Sequence, residues 1–230
     1  MPKTSTAPRA SRMSGVRTRT RTLLLDAAVR TFARKGVGAT AIHEIAAEAG
    51  VANGTFYNYF RTREEIVEAV GHHLAQPLHD EISKSSTDVS DPAERVAIGS
   101  RRFILKAMRD PSWGAAVVRV SGGSPGLPTR TAAPVLADLR AGRRRGRFKF
   151  TSEAAAVDLL QGAVLAAMRT ILEGRGDEEH ASDVAALILR GLGVDGAEAD
   201  AIARRPLPAL AAGRPSGRAK GAARSRRTTR

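Results

Sequence analysis

The chain of 230 residues contains no cysteine and few aromatic side chains. Without cysteine it can form neither disulfides nor thiolate zinc sites, and it has no cysteine nucleophile. Phe, Trp and Tyr make up 4% of the residues, whereas apolar residues make up 42% and are chiefly Ala, Leu and Val. Since Ala and Leu are strong helix formers, the composition predicts an all-α protein with an aliphatic core.

Long apolar segments are also scarce in the sequence. We find no apolar run that approaches the ~18 residues of a membrane-spanning helix. Residues 1–21 are polar, unlike a secretory signal peptide. The sequence therefore predicts a soluble, intracellular protein without a membrane partner.

Positive charge is concentrated at the two ends of the chain, whose net charge is +14. Residues 1–63 hold 11 basic and 3 acidic residues, residues 204–230 hold 9 basic and no acidic ones, and the segment between carries −3. Neither end has the face of large apolar residues that a membrane-surface helix needs. This distribution favours a polyanionic partner, nucleic acid before membrane.

Composition divides the chain into four parts. Residues 1–20, rich in Thr, Ser, Arg and Pro, are predicted to be a disordered basic arm, and residues 196–230 a disordered basic tail. Residues 21–63 carry three short helical patterns, and residues 64–195 carry longer ones. The chain is thus predicted to have a small N-terminal module and a larger helical domain.

The three short patterns predict three helices. Leu24, Ala28 and Phe32 recur at every fourth position, which predicts one apolar face on a helix over about 20–35. Thr40 can cap a second helix over about 41–49. A third short helix is predicted over about 53–59.

The spacing of Ala46, Gly50 and Phe56 predicts a helix-turn-helix. A small residue is needed where the two helices cross, a glycine in the tight turn, and a large apolar residue to fix their angle. The outer face of the third helix would then present residues able to reach base edges or phosphates. These residues are Ala52, Asn53, Thr55, Tyr57 and Asn58.

The same segment resembles the N-terminal domain of TetR-family transcriptional regulators. The resemblance runs nearly continuously over about 18–78, through LLDAA (24–28), FARKG (32–36), TAIHEIA (40–46), AGVANGTFYNYF (49–60) and REEI (63–66). It implies an N-terminal three-helix DNA-binding domain with a helix-turn-helix, followed by a larger helical ligand-sensing and dimerisation domain.

The resemblance also implies roles for individual residues. Thr40 would contact a phosphate as well as cap its helix, and Gly54 would let the third helix approach the DNA backbone. Arg63 stands where the family usually has Lys and would contact a phosphate. The complete DNA-binding set is Thr40, Ala52, Asn53, Gly54, Thr55, Tyr57, Asn58 and Arg63. Ala52 and Asn58 depart from the usual Ser and the common His, so the resemblance does not extend to the operator sequence.

In the larger domain, the resemblance implies that helices at about 152–173 and 179–192 pair with their symmetry mates, an ordinary intrachain bundle being the alternative. It also implies an effector cavity in this domain. Candidates to line the cavity are Phe103, Met108, Trp113, Val117 and Met168; core packing is the alternative for each. Because no charged residue falls obviously inside these apolar stripes, we expect an apolar or weakly polar effector.

Together these patterns predict a homodimeric, ligand-responsive transcriptional regulator, with repression favoured over activation. It would bind a palindromic operator in double-stranded DNA, be released by a small-molecule effector, and reside in the bacterial cytoplasm at the nucleoid. The alternative is a nonspecific architectural DNA-binding protein acting through its basic tails. No catalytic constellation stands out, and Glu68, His72, Gln76 and His79 lack a tight histidine pair for a metal. We therefore expect no enzyme activity, cofactor or metal.

Overall fold

The computed structural model describes residues 9–122 and 133–210, and within these ranges it contains helices and no strand. The predicted all-α fold is therefore confirmed. The helices of the described ranges are α1 (Arg9–Lys35), α2 (Ile42–Glu48), α3 (Asn53–Tyr57), α4 (Arg63–Ser85), α5 (Pro92–Arg109), α6 (Pro111–Gly122), α7 (Ala133–Arg144), α8 (Glu153–Leu172), α9 (Glu178–Gly191) and α10 (Gly196–Ala203).

Helices α1 to α3 form the predicted three-helix unit. Gly36 and Gly50 take positive φ angles of 82° and 68°, which end α1 and turn the chain between α2 and α3. Ala46 and Phe56 are buried, together with the predicted face of α1. Two residues of the predicted spacing, Ala46 and Phe56, thus belong to one core, and the third, Gly50, forms the exposed turn between their helices.

The prediction that Thr40 caps α2 is wrong by one residue. The N-cap is Ala41, whose N–H is satisfied by the Glu44 carboxylate at 3.0 Å. The Thr40 hydroxyl instead donates to the Gly36 carbonyl at 2.8 Å, and the residue is only 3% exposed. The Glu44 carboxylate, three positions after the cap, reaches back to the N–H of the N-cap residue, which is the glutamate half of a capping box, while the Ala41 side chain offers no acceptor of its own.

The prediction of a disordered arm over residues 1–20 is also corrected, since α1 begins at Arg9. Extending an existing helix adds one hydrogen bond for each residue that becomes ordered and avoids the cost of nucleation. The buried turns of α1 after Leu23 can therefore support the polar turns that precede them. The hydroxyls of Thr20 and Thr22 donate to the carbonyls four residues before them, at 3.1 Å each. Residues 1–8 lie outside the described residues.

Helix α8 corrects the expectation that no segment is apolar enough to cross a membrane. An 18-residue window of this helix has a mean hydropathy of 1.5 and meets the criteria of length and charge. Asp158 interrupts the apolar run but lowers the mean hydropathy of the window only slightly, so the segment does not stand out as a continuous apolar run. Val157, Leu160 and Met168 are buried in the core that α8 shares with α5 and α9. The apolar composition of α8 thus serves packing inside the helical domain.

The predicted disordered tail, residues 196–230, begins with ordered structure. Asp195 caps α10 by accepting from the Ala197 N–H at 3.0 Å, and Ile202 is buried against the main core. Beyond α10 the chain follows α5, where Arg101 donates to the Arg205 carbonyl at 2.6 Å. The short Ala-rich sequence GAEADAIA concealed this helix, because its single large apolar residue finds its partners on other helices. Residues 211–230 lie outside the described residues.

Gly142 offers a direct test of packing between α7 and the segment that follows it. A Cβ atom at this position would fall inside the van der Waals envelope of the buried Phe148 ring. We expect Gly142→Ala to lower the free energy of unfolding by about 1–3 kcal/mol, since the buried ring must shift. Urea denaturation followed by circular dichroism measures this. Gly99→Ala in α5 is the control: a Cβ there meets nothing within 4 Å, so stability should be unchanged or higher.

Candidate DNA-binding surface and effector cavity

The exposed face of α3 carries most of the predicted DNA-contacting residues. Ala52 is the N-cap of the helix, and it is exposed together with Asn53, Gly54 and Asn58. Tyr57 is 50% exposed although its ring edge packs on the buried Phe56, with ring centroids 5.6 Å apart. This arrangement holds the tyrosine hydroxyl outward from a fixed aromatic base.

Three other predicted contacts lie deeper. Thr55 is half-buried, and Thr40 is buried with its hydroxyl bound to a carbonyl, so its side chain has almost no surface to offer a phosphate. Arg63 opens α4 and is half-buried, with its Nη2 atom enclosed and without a hydrogen-bond partner among the described residues. The structure therefore separates the exposed tip of α3 from these positions.

Basic residues of α1 extend the exposed surface near α3. Arg17, Arg19 and Arg21 are all exposed, and the guanidinium of Arg21 lies 5.4 Å from the centroid of the Phe60 ring. This cation–π contact brings the N-terminal part of α1 close to the end of the helix-turn-helix. Arg17 lies one turn before Arg21 on the same helix face, whereas Arg19 lies on another face of α1.

Ion pairs fix α2 against α1 behind this surface. Glu48 accepts hydrogen bonds from Arg30 at 2.7 Å and from Arg34 at 2.8 Å, and these bonds lower the pKa of its carboxyl group. Lys35 pairs with Glu44, the residue that caps α2. Each pair is solvent-exposed and contributes little alone, but together they set the orientation of the short helix.

A cavity of about 500 Å³ lies in the helical domain among α4, α5, α6, α7 and α8. Phe103, Val117 and Met168 line it, as predicted for the effector cavity. Met108 and Trp113 do not. Met108 lies five residues after Phe103 and therefore about 140° around α5, against the core, and the Trp113 indole N–H donates to the Leu74 carbonyl at 3.0 Å.

The cavity wall also contains charged and polar groups that the sequence analysis did not find. Arg95 on α5 and Asp138 on α7 both line it, joined by a hydrogen bond of 2.5 Å from Nε to Oδ1. Arg95 precedes Gly99 and Phe103 by four and eight residues, so all three share one helix face. That spacing is the signal that could have revealed it, and it corrects the expectation that no charge enters the apolar stripes.

Burial changes the protonation behaviour of two groups in the wall. It raises the pKa of Asp138, an effect that the hydrogen bond from Arg95 opposes. It lowers the pKa of His79, whose ring lies 4.8 Å from the Phe103 ring, so this imidazole is neutral at pH 7. A neutral imidazole beside the Phe103 ring, with the two ring planes inclined by 51°, adds uncharged surface to the cavity.

Helix α6 connects the cavity with the DNA-binding domain. Val117 lines the cavity, whereas Val120, three residues later, is buried in the core formed by α1 to α4. The guanidinium of neighbouring Arg119 donates to the Ala33 carbonyl near the end of α1. One short helix thus contacts both functional regions.

Comparison with known proteins identifies both parts of the chain. Residues 24–70 match the model of bacterial regulatory proteins of the tetR family, and residues 91–205 match that of the tetracyclin repressor-like C-terminal domain. The chain belongs to the TetR family. The resemblance drawn from residues 18–78 is therefore confirmed, and the second match extends it through α5 to α10.

Relatives of this TetR-family chain include an uncharacterised HTH-type transcriptional regulator of Mycobacterium tuberculosis (strain ATCC 25618 / H37Rv). The two are 37% identical over 87 residues, 38% of this chain and 43% of the relative. The regulator BetI of Brucella suis (strain ATCC 23445 / NCTC 10510) is 31% identical over 74 residues, 32% of this chain and 37% of BetI. The chain thus spans less than half the length of these curated relatives.

A solved structure gives a longer match. The crystal structure of RolR in complex with its ligand resorcinol superposes with a TM-score of 0.66 and 31% identity, covering 86% of this chain and 100% of RolR. The shared architecture includes the N-terminal helix-turn-helix domain and the C-terminal helical domain.

Proposed function

We propose that this protein is a ligand-responsive transcriptional repressor that binds a palindromic operator as a homodimer and leaves it when a small molecule occupies the cavity. The observation that carries this proposal is α6, which lines the cavity at Val117 and enters the core of the DNA-binding domain at Val120. We further propose that it has no catalytic role and acts in the bacterial cytoplasm, at the nucleoid.

The DNA-reading surface would be the exposed tip of α3 with the basic turns of α1. Small polar side chains at Asn53 and Asn58 can reach base edges, and exposed Gly54 permits close approach of the backbone to a phosphate. Arg21, with Arg17 one turn before it on the same face of α1, adds positive charge close to the end of the helix-turn-helix. Such charge suits the flanking phosphates or the adjacent minor groove.

The dimer interface would be formed by α8 and α9. Leu159 on α8 is 40% exposed and Leu187 on α9 is 62% exposed, and Gly162 and Ala166 continue the exposed face of α8. An uncovered stripe of leucine and small residues at helical spacing suits close pairing with its own symmetry mate. Two recognition helices ~34 Å apart would then read the two halves of a palindrome.

Release from DNA would follow from a shift between two conformations. A ligand that binds better to a form with displaced recognition helices lowers the population of the DNA-binding form. Besides α6, helix α4 supports such coupling, because Leu74 lines the cavity while neighbouring His73 lies 3.0 Å from Asp26 of α1. Filling the cavity would therefore act on two helices that contact the DNA-binding domain.

The effector is proposed to be a small organic molecule. The cavity of about 500 Å³ falls within the ~300–1,000 Å³ typical of small-molecule sites. RolR, similar over 86% of this chain, was crystallised with resorcinol. Of the expected apolar or weakly polar effectors, the polar groups at Arg95 and Asp138 favour a weakly polar one.

Selection of genomic DNA fragments by the purified protein tests this function. At ~150 mM salt, with excess nonspecific competitor, contacts to phosphate alone are suppressed. We expect a short palindrome to be recovered. Fragments without a shared motif would instead support the architectural alternative, and no recovery would contradict DNA binding.

Tyr57→Phe tests the proposed phosphate contact at the tip of α3. Removing one hydroxyl should weaken binding to operator and to random DNA by the same factor, about three- to tenfold, because a phosphate contact carries no sequence information. Fluorescence anisotropy with both DNAs measures it. Tyr59→Phe is the matched control, since Tyr59 is half-buried beside the same helix. Weakening on the operator alone would assign Tyr57 to base reading.

A further inference from the structure

The Arg95–Asp138 pair gives one part of the cavity wall a defined chemistry. Besides its bond to Asp138, Arg95 donates from Nη1 to the carbonyls of Val89 at 2.9 Å and Ser90 at 3.3 Å. The guanidinium is thereby fixed between the α4–α5 loop and α7. Its orientation is set before any ligand arrives.

Two polar atoms of this pair remain available within the part of the chain that the structure describes. Nη2 of Arg95 and Oδ2 of Asp138 form no hydrogen bond to any residue of 9–122 or 133–210. Both side chains keep about a quarter of their surface uncovered, 24% for Arg95 and 28% for Asp138. A donor and an acceptor therefore lie on one ion pair in the cavity wall.

The charges of the pair restrict what can bind beside it. A carboxylate attracted to Arg95 would be repelled by Asp138, and an ammonium attracted to Asp138 would be repelled by Arg95. A neutral hydroxyl meets both needs, because its oxygen accepts from Nη2 while its hydrogen is donated to Oδ2. Hydrogen bonds to charged groups are the stronger ones, so this match also favours affinity.

Beside polar residues that include Ser83, Ser100 and Gln161, the wall offers apolar surface that suits the body of a ring compound. The rings of Phe103 and His79, inclined by 51° to each other, contribute aromatic surface, and Leu160, Val164 and Met168 of α8 contribute aliphatic and thioether surface. Methionine adapts its shape and makes favourable contacts with aromatic rings. The polar pair and this surface together select a ring compound with a polar edge.

We propose that the effector is an uncharged hydroxylated aromatic compound, whose hydroxyl group accepts a hydrogen bond from Arg95 and donates one to Asp138. This inference rests on the proposed effector role of the cavity. The proposal predicts that the cavity binds neutral phenols. Ring compounds of similar size that carry a carboxylate, or that lack the hydroxyl hydrogen, should bind more weakly.

Isothermal titration calorimetry on the full chain tests the proposal with phenol, resorcinol and 2-naphthol as hydroxylated probes. Benzoate serves as the anionic probe and 1,3-dimethoxybenzene as the probe without a hydroxyl hydrogen. We expect at least one phenol to bind wild-type protein tenfold or more tightly than both other probes, a difference that one hydrogen bond to a charged group can supply.

Asp138→Asn provides the decisive variant. With its carbonyl oxygen held by the Arg95 Nε–H, the asparagine presents an NH2 donor in place of Oδ2 and leaves Arg95 without its counter-charge, so phenol affinity should fall tenfold or more while benzoate affinity rises. A purely structural role of Asp138 would weaken all probes alike. Glu153→Gln, which breaks the exposed pair with Arg140 outside the cavity wall, is the matched control and should change neither affinity.

Three results would overturn the proposal: tighter binding of benzoate than of any phenol to wild type, equal weakening of all probes in Asp138→Asn, or no binding of the three phenols. These results are separable from failure of the proposed function. Recovery of a palindromic operator in the genomic selection does not depend on the probes. A recovered operator without phenol binding would mean a regulator with a different class of effector.

Discussion

The Leu187→Asp variant should fold normally but sediment as a monomer. Leu187 is 62% exposed on the single chain, so a carboxylate there remains hydrated and costs the subunit little. In a symmetric interface the same change buries two carboxylates without partners. We expect the dimer dissociation constant to rise at least about a hundredfold. Affinity for a palindromic operator should fall with it, because each half-site is then bound separately.

Analytical ultracentrifugation measures the first effect and fluorescence anisotropy on operator DNA the second. Ala201→Asp, an equivalent change at an exposed position of α10, is the control and should leave the dimer intact. If the wild-type chain is itself monomeric, or if Leu187→Asp remains a dimer of unchanged affinity, then α8 and α9 do not form the interface.

Phe56→Ala should unfold the DNA-binding domain or leave it close to unfolding. Phe56 is fully buried between α2 and α4 and packs against Phe60, with ring centroids 5.6 Å apart. Truncating a buried phenylalanine costs about 3–5 kcal/mol, a large part of the stability of an ordinary domain. We expect lower thermal stability and no detectable operator binding.

Thermal unfolding followed by circular dichroism measures the loss of stability in Phe56→Ala. Tyr57→Ala separates stability from recognition, because the neighbouring aromatic residue is half-exposed. This variant should lose DNA affinity while its free energy of unfolding changes by only about 0.5 kcal/mol. Equal destabilisation by the two substitutions would contradict the assignment of Phe56 to the core and Tyr57 to the surface.

Local spacing was enough to predict the DNA-binding domain. Ala46, Gly50 and Phe56 lie within eleven residues, and each is constrained by the geometry of its own turn or helix crossing. The position of the cap was missed by one residue because Thr40 and Glu44 both suit the start of a helix. The path of the chain after Gly36 brings the Thr40 hydroxyl to the Gly36 carbonyl, and the Glu44 carboxylate binds the N–H of the N-cap residue Ala41.

The residues that line the cavity were predicted only in part. Phe103, Val117 and Met168 were found as large or adaptable residues in apolar stripes, but Met108 and Trp113 belong to the core and to a contact with α4. Arg95 has a local signal in its spacing from Gly99 and Phe103, but its pairing with Asp138 joins positions 43 apart on two helices. No local pattern encodes the distance between such residues.

The sequence by itself determined the helical fold, the helix-turn-helix and the family, because these follow from short-range periodicity, glycine positions and a continuous motif. The tertiary structure alone decided which faces of α5, α7 and α8 enclose the cavity and that an ion pair stands in its wall. It also decided that residues 196–203 fold as α10, because Ile202 is buried only through its contacts with other helices. Such features depend on helix–helix packing, in which each residue's role is set by partners far away in the chain.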